Sequence, residues 1–422
     1  MLDLSEQIAS DAFAQRARHP EFPNAFTRAR NLPLPGLIAV LLSMRASSQQ
    51  VLLDSFFGTL CAAGGAGAGL VRGVSDRAFA KARSHLHMPA LSWLNDWVVG
   101  RVDAAGRVPR WRGLRLVAAD ASVLMPAIRA CHRTRSLASG DQRLFALYLP
   151  GAELTLHAQV HDAVESERAM LVAALDKLGP DDVLLLDRGY PAAWMVALLC
   201  ERGIRFVMRC DKQSGGWASV RRFLHSGAEH AQVKLSAPSR QEMLDWDCPA
   251  EAPEVRLVRS VSSNAQVRVL ATNLSETDFP AECFGELYHQ RWRIEEAFKR
   301  LKQRLHLEAT SGLSQQALII DVAAKVLADN LASLMCAAAL AQRNGQPDLP
   351  PPAKPRRCHR GYAANVMLGL LPSVLLCIGD VVGAIAGAIT LLARTCRRSS
   401  PGRSCPRPDR HVKPHPRYAY KG

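Results

Sequence analysis

Two short apolar runs, each followed by an aspartate, constrain the fold of this chain more than any other feature. Leu116–Ala119 leads into Asp120, and Val183–Leu186 leads into Asp187. Wholly apolar runs of this length suit strands that are buried on both faces, and helix-forming segments lie between them. Proteins of the α/β class place their sites at the carboxyl edge of such a sheet. The pattern therefore predicts an α/β fold with both acids at one edge of a sheet.

The neighbouring segments predict the other elements of this core. Arg143–Leu149 and Glu153–Val160 flank the turn pair Pro150-Gly151, which indicates a hairpin. The elements that follow are a helix at Glu165–Leu178, the strand before Asp187, a helix at Ala192–Glu201 and a strand at Ile204–Met208. Strands that alternate with helices indicate a sheet with both faces covered.

The chain divides into five predicted regions. Residues 1–105 form a helical N-terminal region that fits a DNA-binding domain, although an ordinary helical scaffold explains it equally well. The later regions are the first part of the α/β core at 106–209, a β-rich insertion at 210–280, the rest of the core at 281–345, and C-terminal helices with a basic tail at 346–422. The insertion holds predicted strands at Val255–Val258 and Val267–Thr272 around a turn at Ser262–Asn264.

The charge balance indicates an anionic partner. The chain has 53 Lys and Arg against 38 Asp and Glu, a formal net charge of +15. Such an excess suits nucleic acid or a membrane surface, because each neutralised phosphate releases counterions. The apolar stretch Ala363–Ala393 is interrupted by Pro372 and Asp380, so a buried helical hairpin is favoured over a membrane span. No membrane partner is therefore expected.

The N-terminus and the cysteines favour a cytoplasmic protein. The opening residues, MLDLSEQIASDAF, lack the basic-then-apolar order of a signal peptide. The 11 cysteines are scattered and never form a C-x-x-C pair. Reduced thiols are therefore expected, with neither a disulfide framework nor a zinc finger.

The segment 287–302 carries the most informative pattern. On a helix of 3.6 residues per turn, one narrow face carries Tyr288, Arg291, Glu295, Lys299 and Lys302. An adjoining apolar stripe would dock this helix on a core. One acid thus lies among a phenol and several cations, whereas the adjacent Glu296 points elsewhere.

Simpler interpretations of these acids remain open at this point. Aspartates after strands commonly cap loops or helices. The i,i+4 pair Glu295–Lys299 is common on amphipathic helices and stabilises them by only about 0.2–0.5 kcal/mol. Other acids fit a site less well. Asp162, Glu165 and Glu167 lie at a polar helix start, and Asp181 and Asp182 precede their strand.

A phosphodiester-cleaving site would give the arrangement a purpose. Hydrolysis followed by attack of the freed 3′-hydroxyl is served by two hard cations roughly 4 Å apart. Magnesium takes carboxylate oxygens and keeps waters, so three carboxylates suffice. Arg, Lys and a Tyr hydroxyl on the same helix face could hold the flanking phosphates.

The residues of this helix resemble a known family, the bacterial DDE-class insertion-sequence transposases of the group named after insertion sequence four. Its helix motif is Y-(2)-R-(3)-E-(6)-K. The motif stands here as Tyr288, Arg291, Glu295 and Lys302. The first two acids of the family correspond to Asp120 in VAADASVL and Asp187 in LLLDRGY.

The resemblance implies a ribonuclease H-like catalytic core with a β-rich insertion, a helical N-terminal domain and a helical C-terminal region. It implies that Asp120, Asp187 and Glu295 are the catalytic residues and hold two Mg²⁺ ions, with Mn²⁺ as a possible substitute. Tyr288, Arg291 and Lys302 would contact DNA, with Lys299 on the same face. The activity implied is metal-dependent hydrolysis at transposon ends and 3′-hydroxyl strand transfer.

The partners implied by the resemblance are double-stranded DNA, as terminal inverted repeats and target, and a second copy in a synaptic homodimer. The location implied is the bacterial cytoplasm, in association with the nucleoid. Alternatives are an inactive DNA-binding relative or another ribonuclease H-like nuclease. Some relatives flip a base onto an insertion-domain tryptophan. Trp217 and Trp246 are available, although packing explains each of them better, and Leu318–Leu340 suits either synaptic contacts or a core.

Overall fold

The chain folds into two compact units. The computed structural model describes residues 1–28, 30–44, 48–62, 64, 73–126, 141–210, 217–261, 267–345 and 356–398. The first unit comprises Met1–Gly100, Leu124–Gln142 and Phe298–Gly422, and the second comprises Arg101–Val123 and Arg143–Ala297. The predicted turn at 262–264 and the part of the predicted basic tail that follows residue 398 lie outside the described residues.

Helices make up the N-terminal part of the chain, as predicted. They are α1 (Leu2–Ala9), α2 (Asp11–Ala17), α3 (Leu34–Ser43), α4 (Gln49–Ala62), α5 (Asp76–Ser84) and α6 (Ala90–Ala104). Side-chain hydroxyls cap two of these helices, because Ser10 accepts from the Phe13 amide and Ser75 from the Ala78 amide. Pro33 and Pro35 begin α3, which is buried along nearly its whole length.

One sheet dominates the second unit. Its strands are β1 (Arg115–Leu124), β2 (Gln142–Leu149), β3 (Leu154–Asp162), β4 (Asp182–Leu186), β5 (Arg205–Cys210), β6 (His230–Lys234), β7 (Glu254–Val261) and β8 (Val267–Thr272). Their order in the sheet is β3-β2-β1-β4-β5-β8-β7-β6. β4 is parallel to both β1 and β5. The α/β prediction is therefore confirmed, and so is the hairpin of β2 and β3.

Strand β1 is longer than predicted. The pattern placed Asp120 at the end of its strand, but β1 continues to Leu124, so that detail was wrong. The parallel pairing with β4 covers Arg115 to Ala118, and β2 is hydrogen-bonded to the other side of β1. Pairing with β2 lets β1 continue as a strand beyond its last partner in β4.

The predicted β-rich insertion extends the central sheet. Its strands are antiparallel, with β8 beside β5, β7 beside β8 and β6 at the edge. Two helices, α9 (Ala218–Ser226) and α10 (Arg240–Trp246), accompany them. Trp246 stacks on Trp194 of α8 (Ala193–Glu201), with ring centroids 4.4 Å apart. This stack is the packing interpretation of Trp246 that the sequence favoured.

The segment that carries Glu295 is helical throughout, but its helix type changes along its length. It consists of α11 (Phe284–His289), a 3₁₀ turn at Gln290–Trp292 and α12 (Arg293–Arg304). The sequence predicted a single α-helix over this segment, and the 3₁₀ turn between Tyr288 and Glu295 is the difference. Upstream, α7 (Glu167–Ala173) and a 3₁₀ turn at Leu175–Lys177 replace the single predicted helix at Glu165–Leu178.

In the first unit, the long helix α13 (Gln315–Asn344) forms a core. Most of its residues are buried, which agrees with the core interpretation of Leu318–Leu340. Four polar residues at spacings of four form a buried stripe along it: Asp321, Lys325, Asp329 and Ser333. Their partners are Ser311, the carbonyls of His306 and Ala309, Arg300, and Arg360. The stripe is fully hydrogen-bonded, as burial of polar groups requires.

Two further helices, α14 (Arg360–Leu375) and α15 (Val381–Arg394), follow in the same unit, with a two-stranded ladder of β9 (Arg356–Arg357) and β10 (Arg397–Arg398). They correspond to the predicted hairpin, with Pro372 inside α14 and Asp380 capping α15. Of the helices that the structure describes, none combines the length and hydropathy that a membrane crossing needs.

The central strand gives a stability prediction. Leu185 in β4 is fully buried between β1 and β5, whereas Leu244 on α10 is 73% exposed. Leu185→Ala should lower the free energy of unfolding by about 2–5 kcal/mol, because the cavity adds to the lost transfer free energy. Leu244→Ala should change it by less than about 1 kcal/mol. Urea unfolding of both variants checks this, and equal effects would contradict the described position of β4.

Candidate active site

Asp120 lies in β1, and Asp187 directly follows the adjacent strand β4. The parallel register pairs Ala118 with Leu185, and continuing it by two residues sets Asp120 against Asp187. Neighbouring strands are about 4.8 Å apart. The two carboxylates are close enough that each interacts electrostatically with the other. The structure thus brings together the two acids that the sequence selected.

The surroundings of Asp120 disfavour its charged form. Its side chain is only 17% exposed. Burial raises the pKa of Asp120 to about 7; Arg291 opposes this shift, and the charge of Asp187 adds to it. One carboxylate oxygen accepts a hydrogen bond of 2.9 Å from the Ala121 amide. A buried carboxylate beside a second one is a position where a cation is strongly favoured.

Asp187 begins the loop Asp187–Pro191. Its Oδ1 accepts a 2.7 Å hydrogen bond from the Gly189 amide, a local turn that orients the carboxylate. Tyr190 is fully buried in this loop, and its hydroxyl has no hydrogen-bond partner in the described structure. Burial, together with the charges of Glu167, Asp120 and Asp187, raises the pKa of Tyr190 well above its ordinary range. The phenol therefore stays protonated and lies among these carboxylates.

Arg291 joins two of the predicted catalytic acids. Its Nη2 donates to Glu295 Oε1 at 2.7 Å, and its Nη1 lies 3.6 Å from Asp120 Oδ2. Arg291 is 5% exposed, and its Nε and Nη1 make no hydrogen bond to any residue that the structure describes. Burial opposes its charge, but the neighbouring phenol and carboxylates outweigh burial and raise the pKa of Arg291. Arg291 is the cation that balances the acids in this arrangement.

Tyr288 supports the strand that ends before Asp187. Its hydroxyl donates to the carbonyl of Leu186 at 3.3 Å, and the residue is 1% exposed. Burial raises the pKa of Tyr288 to about 12, so the hydroxyl remains a donor. In this arrangement it orients the backbone next to Asp187. Its predicted contact with a DNA phosphate stays a prediction.

The two lysines lie further along α12. Lys299 is exposed, one turn beyond Glu295. Lys302 is half-buried, and its Nζ lies 3.4 Å from Glu308, which also accepts from the Met125 amide. Their predicted DNA contacts are likewise untested by this arrangement.

Three site residues escaped the sequence analysis. The register between β4 and β5 pairs Leu186 with Met208, so Arg209 is the neighbour of Asp187 on the other side from Asp120. Arg268 on β8 lies with its guanidinium 4.9 Å from the centre of the Trp292 ring. Burial and the charge of Arg209 lower the pKa of Arg268. Glu167, dismissed as a helix-start acid, interacts electrostatically with Asp187. None of these three residues has a recognisable local sequence pattern, because only the sheet register and the packing of separate elements bring them near the site.

The carboxylates of Asp120, Asp187 and Glu295 are suitable ligands for a divalent cation, and the first two are neighbours in the sheet. Within the described ranges, no three His, Cys, Asp or Glu side chains converge closely enough to hold a metal ion as they stand. The reason is visible in the geometry, because Glu295 is engaged by Arg291 instead of sharing a position with Asp120 and Asp187. Two adjacent carboxylates, of which Asp120 is only 17% exposed, and a third on the other side of one guanidinium are oxygen ligands of the kind that Mg²⁺ binds.

Comparison with known families identifies this core. Residues 115–331 match the family described as the transposase DDE domain, a segment that contains all three predicted catalytic acids. The chain therefore belongs to the transposase DDE domain family. Members of this family use divalent metal ions. The predicted fold, with a ribonuclease H-like core and helical N- and C-terminal regions, is confirmed.

Individual relatives are more distant. The chain is 38% identical over 90 residues to the transposase InsL of insertion sequence element IS186A from Escherichia coli K12, which covers 18% of this chain and 24% of that protein. The transposase of element IS421 from Escherichia coli matches to the same extent. The matched part thus spans about a quarter of these curated relatives. Among solved structures, piggyBac transposase in a synaptic complex with hairpin DNA is similar at a TM-score of 0.41 and 9% identity, over 96% of this chain and 84% of that chain.

The environment of Asp120 predicts a pH dependence of stability. Because its pKa is raised in the folded state, Asp120 stabilises the fold at acidic pH, and this contribution is lost as the pH rises towards about 7. Asp120→Asn, which stays neutral, should therefore gain on the order of 2–3 kcal/mol relative to wild type between pH 5 and pH 8.

Urea unfolding in EDTA at the two pH values measures this difference. Asp176→Asn is the control, since the side chain of Asp176 is 71% exposed. A gain for Asp120→Asn no larger than that of the control would show that Asp120 is not buried as described.

Proposed function

We propose that this protein is a DNA transposase that hydrolyses phosphodiester bonds at the ends of its element and joins the freed 3′-hydroxyls to target DNA. The observation that carries the proposal is the pair Asp120 and Asp187, opposed on adjacent strands inside the domain that matches the family. Glu295, linked to Asp120 through Arg291, supplies a third carboxylate.

We assign Asp120, Asp187 and Glu295 as ligands of two Mg²⁺ ions, with Mn²⁺ as a possible substitute. Bound divalent ions would supply an activated attacking oxygen and a stabilised leaving oxygen. The electrostatic interaction between Asp120 and Asp187 supports the assignment, because the two carboxylates repel each other unless a cation is near. Glu295 would exchange its ion pair with Arg291 for the shared site.

Two transfers account for the activity. In the first, a water oxygen attacks phosphorus, the bond from phosphorus to the 3′-oxygen breaks, the water loses a proton and the 3′-oxygen gains one. In the second, the 3′-hydroxyl attacks a target phosphodiester, a new phosphodiester forms, and the displaced target 3′-oxygen takes up a proton. Before DNA binds, Tyr288 holds the backbone beside Asp187 through its bond to Leu186, and a phosphate contact would replace this bond.

DNA would be held through phosphates by Tyr288, Arg291, Lys299 and Lys302. We add Arg209, which lies beside Asp187, and Arg268, which interacts electrostatically with Arg209 and Arg291. Neither has an ion pair within the described residues. Arg291 would turn from the carboxylates to a phosphate when DNA is bound, and its guanidinium suits a phosphate's fork geometry. The helical region 1–105 is our candidate for recognising the end sequence.

We further propose membership of the insertion sequence four group, on the motif formed by Tyr288, Arg291, Glu295 and Lys302. The partial likeness to the IS186 and IS421 transposases supports this assignment. The expected partners are the terminal inverted repeats, target DNA and a second copy of the chain in a synaptic homodimer. Such substrates imply a nucleoid-associated protein of the bacterial cytoplasm.

Glutamine variants of neighbouring acids test the metal role. Glu295→Gln should reduce cleavage of DNA carrying the element's ends by more than about a hundredfold in Mg²⁺, because a carboxylate ligand is lost. Glu296→Gln, at the adjacent exposed position, should leave cleavage nearly intact. Equal cleavage by wild type and Glu295→Gln would eliminate the proposed role, and equal losses in both variants would mean that the side chains face differently.

Salt dependence tests the phosphate contacts. Lys299→Ala and Lys302→Ala should each reduce the slope of log affinity against log salt by about one, because one fewer counterion is released. Lys234→Ala is the matched control, since Lys234 is exposed on the edge strand β6. Fluorescence anisotropy with an end-containing duplex gives the slopes. A slope that matches the control would remove that lysine from the DNA path.

A further inference from the structure

We propose that Glu167 is a fourth carboxylate of this site and binds a divalent cation on the Asp187 side. The inference rests on the proposed function and extends it, since the Asp-Asp-Glu set does not include Glu167. Three observations place the Glu167 side chain near Asp187.

The first contact fixes the start of α7. Ser166 caps the helix by accepting from the Ala169 amide, which makes Glu167 its first residue. The next residue, Arg168, donates to the carbonyl of Gly189 at 3.1 Å and to that of Pro191 at 3.0 Å. These two bonds tie the first turn of α7 to the loop that begins at Asp187. Glu167 is therefore held at that loop by its neighbour in sequence.

The second contact is a close approach at Gly189. A Cβ atom on Gly189 would lie 3.1 Å from Asp187 Oδ1 and 3.8 Å from Glu167 Oε2. The two carboxylate oxygens thus lie within 4 Å of one point, and glycine leaves that point open. Glu167 is only partly balanced by protein, because its Oε1 lies 3.4 Å from Arg143, a guanidinium that is itself one-third exposed.

The third observation is the hydroxyl of Tyr190. It is fully buried among Glu167, Asp120 and Asp187, and it has no hydrogen-bond partner in the described structure. A buried hydroxyl without a partner costs about 1–3 kcal/mol. A water held by a cation at the neighbouring carboxylates would satisfy it. The unpartnered hydroxyl and the two carboxylate oxygens near Gly189 together favour a hard cation with oxygen ligands in this region.

An acid in the first turn of a helix also stabilises the helix dipole, and that alternative makes a different prediction. If Glu167 acted only on the helix dipole, replacing it would lower the stability of α7 without changing the affinity for metal. The test therefore needs direct metal binding as well as unfolding.

The experiment is a titration of the purified full-length chain with Mn²⁺ in the absence of DNA. Electron paramagnetic resonance measures the concentration of free Mn²⁺ at each step. Glu167→Gln should weaken Mn²⁺ binding by about 10–100-fold. Asp187→Asn should weaken it at least as much, and Asp176→Asn, on the exposed turn after α7, should leave it unchanged. Thermal unfolding in EDTA shows that each variant is folded.

A second variant guards against misfolding of the first. Gly189→Ala would put a methyl group at the point between the two carboxylates, and it should also weaken Mn²⁺ binding while Glu167 keeps its charge. Wild-type affinity in Glu167→Gln, alongside loss in Asp187→Asn, would overturn the role of Glu167 and leave the proposed function standing. Absence of Mn²⁺ binding by the wild-type chain would overturn both.

Discussion

The parallel register of β1 with β4 is the constraint on which the rest of the site depends. It sets Asp120 and Asp187 side by side, and it does so in a part of the sheet that water barely reaches. Repulsion between two such carboxylates is costly, so the surrounding structure must supply positive charge. Arg291 supplies it from the helical segment that carries Glu295, and a divalent cation is the other way to meet the same requirement.

The elements around this pair are arranged to support it. Tyr288 bonds to the backbone at the end of β4, Arg168 holds the loop that follows, and Gly189 orients the Asp187 carboxylate through its amide. Residues that orient carboxylates in this way fix the geometry of a site more strictly than the carboxylates alone. Glu295 is the most exposed of the residues that contact Arg291; its side chain is 30% exposed and forms an ion pair with that guanidinium.

The insertion changes the chemistry of the sheet edge as well as its width. Because β8 joins the sheet beside β5, Arg268 interacts electrostatically with Arg209, which lies next to Asp187. Acidic and basic side chains then occupy neighbouring positions on one sheet. Such a boundary suits a substrate that is a polyanion and reacts at a metal-dependent centre.

The sequence alone determined the α/β class, the hairpin, most strands, and the choice of Asp120, Asp187 and Glu295, because hydrophobic periodicity and motif spacing are local properties. Only the tertiary structure decided that Glu167 and Arg209 lie near Asp187 and that Arg268 lies near Arg209 and Arg291, since these neighbours come from separate elements and depend on sheet register and packing. It also decided that Arg291 is buried between two carboxylates, which a helical projection of one segment cannot reveal. Local sequence patterns thus predict which acids form the site, and long-range packing determines the charges that surround them.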